Sequence, residues 1–344
     1  MPRFVRYRSP SPADASSIEP PISPTAAPVA PPIPADISVP VISTARQYNL
    51  HPKLKWREAN FVSEPCLNFI SSGVTLPSGT TPLSIFEEYF LTRPFLNKVV
   101  FESNIYSRQT FPNSSYILKP TDVKKYLGIL IYHSIVRVNN TRDYWSPFVG
   151  SEPIRQCLTL NQFEKIRSIL HFNDNNAIIM NKTHPKYDRL FKLRPVLDHF
   201  NESFGSVAYD ENLSIDENVC ATKAKNSYRQ YNPKKPHKWG YKFLMICNTS
   251  GYVHKTEIYS GQENQPRFRN QDEPDLGACA NIVVRLTRDV PKFHYHKLYF
   301  DNYYTSLPLM AYLKKERGIL SVGTIRKDRT CRCTLFGTRK KKIK

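Results

Sequence analysis

No stretch of this 344-residue chain approaches the roughly 18 to 20 continuous apolar residues of a membrane-spanning helix. Its opening residues, MPRFVRYRSPSP, lack the apolar core of a secretory signal. Both absences lead us to expect an intracellular protein without a membrane partner. Acid is scarce as well: 29 Asp plus Glu stand against 49 Lys plus Arg, a formal net charge of +20. That imbalance suits an acidic polymer, nucleic acid above all, better than a neutral metabolite; the bland alternative is an ordinary basic soluble protein. A disulfide framework is also missing, since the seven cysteines are odd in number and scattered. They fit reduced thiols in a cytosolic or nuclear protein, most of them packed as small core residues.

What is present can fill one large core or two smaller ones, with 40% hydrophobic and 12% aromatic residues and no internal repeat. Residues 1–40 hold 11 of the 28 prolines and show neither helical nor strand period, so we expect a disordered Pro-rich tail over 1–45. Folded structure is expected from Trp56 onward. A mainly helical region follows over 59–205. One helix is expected from Thr121, after Pro120, with Val123, Tyr126, Leu127, Leu130, Ile131 and Ile135 on its buried face. A second begins at Thr159, which with Gln162 makes a capping-box pattern ahead of Phe163, Ile166 and Leu170. Asp188 is a candidate cap for a third, with Pro195 as a kink or restart.

After Phe204 the pattern turns to short strands at 213–215, 242–247, 252–258, 297–300 and 320–325, interleaved with helices over 278–287 and 306–316. Pro308 sits in the first turn of the latter and Gly318 just past its end. This is an α/β pattern.

Two carboxylates close hydrophobic strands: Asp216 in LSIDEN and Asp301 in KLYFDNYYTS. Carboxylates brought together from separate strands can bind hard cations such as Mg²⁺ or Mn²⁺, which activate water and stabilise a leaving oxygen in phosphodiester cleavage. An Asp at a strand end is also a common turn or helix cap. Between the two lies KAKNSYRQYNPKKPHKWGYK, with Lys223, Lys225, Arg229, Lys234, Lys235, Lys238 and Lys242 and no acid at all. Tyr228, Tyr231, Trp239 and Tyr241 alternate with the cations. Flat rings beside phosphate-binding groups suit a passing nucleic-acid strand. The other reading is a solvated basic hairpin whose aromatics pack inward.

At these residues a resemblance becomes specific. SIDENV, RQYNPKKPHKWGYKF, GY, IYSG, LYFDNYYTSLPL and SVGTIRKDR follow one another as in the piggyBac transposase domain. Upstream, DYWS at 143–146, FEKIRSILHFND at 163–174 and FKLRPVLDHFN at 191–201 also look like that family's segments. The likeness runs over about residues 59–344. It implies a ribonuclease-H-like catalytic domain over 206–344, preceded by a helical dimerisation and DNA-binding region.

It further implies a divalent-metal acidic triad that cleaves DNA strands, passes through a hairpin end and transfers 3′ hydroxyls into TTAA sites. Asp216 and Asp301 match its first two carboxylates. Partners would be transposon ends and TTAA targets, with a second copy as homodimer, in the nucleus. Ala224 departs from the family's usual Gly, and the chain ends at Lys344, ahead of the third carboxylate and the Cys-rich zinc-binding domain. The expectation is therefore an incomplete catalytic domain. The alternatives are a domesticated DNA- or chromatin-binding protein without chemistry and a fragment of a mobile element.

Cys331 and Cys333 alone cannot complete a four-ligand zinc site. His294 and His296 would share a face if extended, and read as a solvated pair. RKKKIK at 339–344 is a candidate import signal or phosphate-binding tail.

Overall fold

A computed structural model describes residues 68–71, 80–233, 235–261 and 265–330. The Pro-rich tail, Lys234, the Cys331–Cys333 pair and the run 339–344 lie outside the described residues. The described residues build two hydrophobic cores, one among helices and one around a sheet.

The helical part begins with α1 (Pro82–Ile85), which continues into a wider turn, Phe86–Phe90. It proceeds through α2 (Arg93–Thr110), α3 (Pro120–Ile135), α4 (Glu152–Cys157) and α5 (Leu160–Ile169). Local chemistry starts these helices. Thr159 Oγ1 accepts from the Gln162 amide at 3.3 Å while Gln162 Oε1 accepts from the Thr159 amide at 3.0 Å, the reciprocal cap expected there.

In α3, Pro120 is the first helical residue rather than the one before it, and the buried face is Val123, Tyr126 and Ile129. Leu130, Ile131 and Ile135 are exposed, a rotation of the expected stripe. The helix carries more apolar residues than one facing core can take, so periodicity alone does not say which stripe packs. The DYWS segment closes this core: Tyr144 is buried with its hydroxyl donating to the Val136 carbonyl at 2.5 Å, and Trp145 Nε1 donates to the Leu158 carbonyl at 2.7 Å.

Helix α6 (Arg194–Gly205) carries Pro195 in its first turn. Asp188 does not cap it. Its carboxylate instead accepts from the Leu190 amide and pairs with Arg194 through two bonds of 2.7 and 2.9 Å. Phe200 and Phe204 of α6 meet Phe90, and the Asn201 side chain hydrogen-bonds both the amide and the carbonyl of Thr256 at 2.8 and 2.9 Å. An Asn amide thus satisfies backbone groups that an outer strand would leave unpaired.

The sheet is formed by β1 (Asn212–Ala221), β2 (Gln230–Tyr231), β3 (Trp239–Asn248), β4 (Val253–Ile258), β5 (Lys297–Phe300) and β6 (Leu320–Gly323). Its order is β2-β3-β1-β5-β6, with β4 also on β3. β1, β3 and β4 are antiparallel neighbours, while β1, β5 and β6 run parallel. Helix α8 (Leu307–Arg317) crosses between the parallel neighbours β5 and β6, and α7 (Ala278–Leu286) leads from β4 to β5.

Leu213 and Ile215 of β1, Leu244 and Ile246 of β3, and Leu298 and Phe300 of β5 point into the core with Ile282 and Leu286 of α7 and Leu309 and Leu313 of α8. Ser214, Asp216 and Asn218 alternate onto the solvent side. β1 is ten residues long, well beyond the expected 213–215, because its polar Asp-Glu-Asn continuation stays paired with β3.

α8 begins and ends as its sequence signals: Ser306 accepts from the Leu309 amide, and Gly318 takes φ 64°. A Cβ on Gly318 would lie 2.6 Å from Phe293 Cα. His294 and His296 are not extended, since Phe293 and Tyr295 take φ of 58° and 59°. Nor are they both solvated: His296 is fully buried and its Nδ1 donates to the Asp210 carbonyl at 2.8 Å. Among the described thiols Cys157 and Cys279 pack, half-buried, against the two cores, while Cys247 is half-buried and Cys220 exposed.

Candidate carboxylate and nucleic-acid site

Register decides where the two Asp residues stand. β1 and β5 are parallel, and their last paired rung is Ile215 with Phe300. Asp216 and Asp301 are the next residue on each strand, at adjacent positions where the two chains part. Both are exposed. Asp301 leaves the sheet and caps the following turn: its Oδ1 accepts from the Tyr303 amide at 2.8 Å, and its carbonyl accepts from Thr305 Oγ1 at 2.7 Å. Arg329 pins that turn from outside, with Nη1 donating to the carbonyls of Asn302, Tyr303 and Thr305 at 3.2, 2.8 and 3.0 Å. The turn-cap reading of Asp301 is therefore correct as geometry.

Sequence reading passed over the groups around this pair. Glu217, next to Asp216, donates its main-chain amide to Asp216 Oδ1 at 2.8 Å, and its own carboxyl also bonds to Asp216. Burial, that bond and the like charge of Asp216 raise the Glu217 carboxyl above the usual range, against the pull of Lys242 and Lys235. Tyr304 is fully buried, its hydroxyl has no hydrogen-bond partner among the described residues, and burial followed by the charges of Glu217 and Asp216 pushes it far up. The DE and NYY neighbours of the two Asp residues were the signal for these groups.

The donor set fits a hard divalent cation such as Mg²⁺ or Mn²⁺, because side-by-side carboxylates supply the oxygen ligands such ions take. Among the described residues no group of three or more His, Cys, Asp or Glu side chains is arranged to hold a metal.

The basic segment folds as a loop and the β2–β3 hairpin beside these acids, antiparallel to β1 up to the Ala221–Gly240 rung. Its cations divide. Lys223, Lys225 and Lys238 face solvent, whereas Arg229, Lys235 and Lys242 are half-buried. Lys242 turns toward the carboxylates, its Nζ 4.6 Å from the Tyr303 ring centre. Lys234 lies outside the described residues.

The aromatics divide too. Tyr228 is a strut, its hydroxyl donating to the Arg189 carbonyl at 2.5 Å while the Arg189 guanidinium lies 4.8 Å from its ring centre. Tyr231 and Trp239 stay exposed, with ring centres 4.8 Å apart and Arg229 4.3 Å from the Trp239 ring centre. Tyr228 thus packs inward as the hairpin reading has it, while Tyr231 and Trp239 stay in water. No helix among the described residues is long and apolar enough to cross a membrane.

Residues 81–342 match the family described as Transposase IS4. The chain is 30% identical over 260 residues to PiggyBac transposable element-derived protein 2 of Homo sapiens, which takes in 74% of this chain and 41% of that protein. It is 27% identical over 293 residues to PiggyBac transposable element-derived protein 3 of Homo sapiens, 82% of this chain and 46% of that protein. The chain therefore spans less than half the length of these curated relatives. Among solved structures it resembles the cryo-EM structure of a piggyBac transposase synaptic complex with hairpin DNA. The TM-score is 0.64 at 21% identity, covering 76% of this chain and 54% of that one, and shows a shared mixed α/β fold. With the family match running through most of its length, the chain belongs to the Transposase IS4 family and is a piggyBac-type, transposase-like protein.

Proposed function

We propose that this chain engages DNA in the nucleus through its basic hairpin and carries, in Asp216 and Asp301, two of the carboxylates of a divalent-metal site on a ribonuclease-H-like sheet. The observation that carries the proposal is the β1–β5 register, which sets both acids one residue past the Ile215–Phe300 rung, beside an acid-free basic segment. The sheet order supports the fold reading: three antiparallel strands, β4-β3-β1, continue into two parallel ones, β5 and β6.

In this reading Lys223, Lys225 and Lys238 bind backbone phosphates, and Lys242 stands between the hairpin and the carboxylates. The Arg329-pinned turn and the Asp216–Glu217 bonds fix the acids before DNA arrives, so little reorganisation is left for binding. A bound Mg²⁺ or Mn²⁺ would supply Lewis-acid activation of an oxygen nucleophile and neutralise charge on the phosphodiester. For the whole protein the reaction is strand cleavage through a hairpin end and transfer of 3′ hydroxyls into TTAA sites, carried out by two copies acting together on transposon ends.

A second reading is DNA or chromatin binding without strand chemistry. It is favoured by the small donor set: two metals about 4 Å apart repel each other and need more anionic ligands than one carboxylate pair offers. Incubating the chain with Mn²⁺ and DNA that carries the cognate transposon ends separates the two. Nicking that disappears in both Asp216→Ala and Asp301→Ala identifies a metal site competent for strand chemistry. DNA binding with no nicking and no Mn²⁺ uptake leaves the binding-only reading.

A further inference from the structure

Two large aromatic side chains at the loop end of the β2–β3 hairpin are left in water although they are cross-strand partners: Tyr231 is 52% exposed and Trp239 45%. A fold gains by burying such rings, on the order of 25 cal/mol for each Å² removed from water. The pair has its own tilted contact, with ring centres 4.8 Å apart at 46°, and the Arg229 guanidinium over Trp239. Tyr228, from the same stretch, is tied down by Arg189 and offers no such surface.

The platform is held in place by its backbone. The Trp239 carbonyl accepts from the Thr222 amide at 3.1 Å, and the Lys238 carbonyl accepts from the Asn232 amide at 2.6 Å. Gly240 lets β3 approach β1 so closely that a Cβ there would lie 2.4 Å from the Cys220 carbonyl oxygen. Exposed Lys238 stands beside the rings in sequence, and exposed Lys225 lies in the preceding loop.

We propose that Arg229, Tyr231 and Trp239 form a stacking site for an unpaired DNA base. A duplex keeps the faces of its bases stacked inside and presents only groove edges and phosphates, so a flat aromatic surface flanked by cations gains a partner only from an unstacked base. The inference rests on the proposed DNA-binding role and adds the class of DNA at this point: single-stranded or unpaired, with the base seated on the rings and its phosphates toward the lysines. Asp216 opposite Met245 and Ala221 opposite Gly240 are five rungs apart along β1, roughly 17 Å at strand spacing. Trp239 lies one residue beyond Gly240, so a strand seated on it reaches Asp216 roughly 20 Å away, about six nucleotides at B-form spacing.

The test uses the full chain, a short single strand carrying 2-aminopurine (whose fluorescence drops on stacking) and a blunt duplex of the same sequence, at physiological ionic strength. The wild-type chain should quench the probe and bind the single strand more tightly than the duplex. Trp239→Ala should abolish the quenching and weaken single-strand binding about ten- to a hundredfold, leaving duplex binding within about twofold. Trp239→Phe should restore most of both effects, which a purely structural loss would not allow. Tyr231→Ala should give a smaller change in the same direction. Equal losses on both DNAs in the Trp239 variants, or quenching unchanged by them, overturn the stacking site while leaving DNA binding intact. Binding of neither DNA by the wild-type chain overturns the DNA-binding role itself, and the stacking site with it.

Discussion

Around a cavity of about 330 Å³ between α6, β4 and α7, cations stand against carboxylates. Arg194 pairs with Asp188, Arg285 with Glu257, Arg288 with Glu273 and Lys255 with Asp289, at 2.6 to 2.9 Å. On the hairpin side, Lys223, Lys225 and Lys238 face solvent in a stretch with no acid between residues 223 and 242. Cations of the same kinds thus have opposite uses. In the cavity they are matched within the chain, Arg285–Glu257 and Lys255–Asp289 tying α7 and the turn after it to β4; burial disfavours the Glu273 charge, yet its bonds to Arg288 keep the carboxyl below the usual range. On the hairpin they stand in solvent with no acid in the same stretch. The net charge of +20 says nothing about this division; only pairing does.

The comparison breaks most sharply at Arg285, whose side chain is 6% exposed and holds Glu257 through a two-pronged pair. Arg285→Ala strands a partly buried carboxylate and should cost about 3 kcal/mol of stability, seen as a clear fall in Tm. The folded fraction should bind DNA as before. A Tm within a degree of the parent would mean that the pair contributes nothing net.

The hairpin should respond the other way. Replacing Lys223, Lys225 and Lys238 together with Ala should leave Tm unchanged and weaken duplex binding. The slope of log affinity against log salt should flatten by about 0.9 for each phosphate that is no longer neutralised, close to three for the triple variant. An unchanged slope would mean that the DNA backbone is held elsewhere on the chain.

The smallest effect concerns pH. Burial lowers the folded-state pKa of His133, His254 and His296 below the ordinary 6.5. Above 6.5 these rings are neutral in both the folded and unfolded chains and stability is flat. As pH falls below it, the unfolded chain takes up protons first and stability declines. The paired carboxylates of Asp188 and Glu273, both held below their ordinary values, add a further loss at more acid pH as they protonate. Thermal melts from pH 8 down should show a plateau, a decline below 6.5 and a steeper one below about 4; a melt independent of pH down to 5 would contradict the histidine contribution.

Much of the local structure was legible because local chemistry suffices for it. The Thr159–Gln162 box, the Ser306 cap, Gly318 beyond α8 and the alternation of β5 at 297–300 each depend on residues within a few positions of one another. Asp188 misled for the same reason: a cap and half of an ion pair look alike until Arg194 comes into reach. The α3 stripe misled because several of its faces are apolar and only the neighbouring helices choose among them.

The sequence by itself determined the chemistry available: two acids at strand ends, an acid-free basic run with aromatic rings, and the ordered motifs of a transposase-like family. Tertiary structure decided which of these groups meet. Pairing β1 with β5 in parallel fixes Asp216 beside Asp301, and a shift of one residue would turn one carboxylate to the other face of the sheet. Folding likewise sorted the aromatics, burying Tyr304 beneath the acids and leaving Trp239 in water. Register and burial arise from pairings between residues far apart along the chain, such as Ile215 with Phe300, 85 positions away (300 − 215), and no local pattern encodes those.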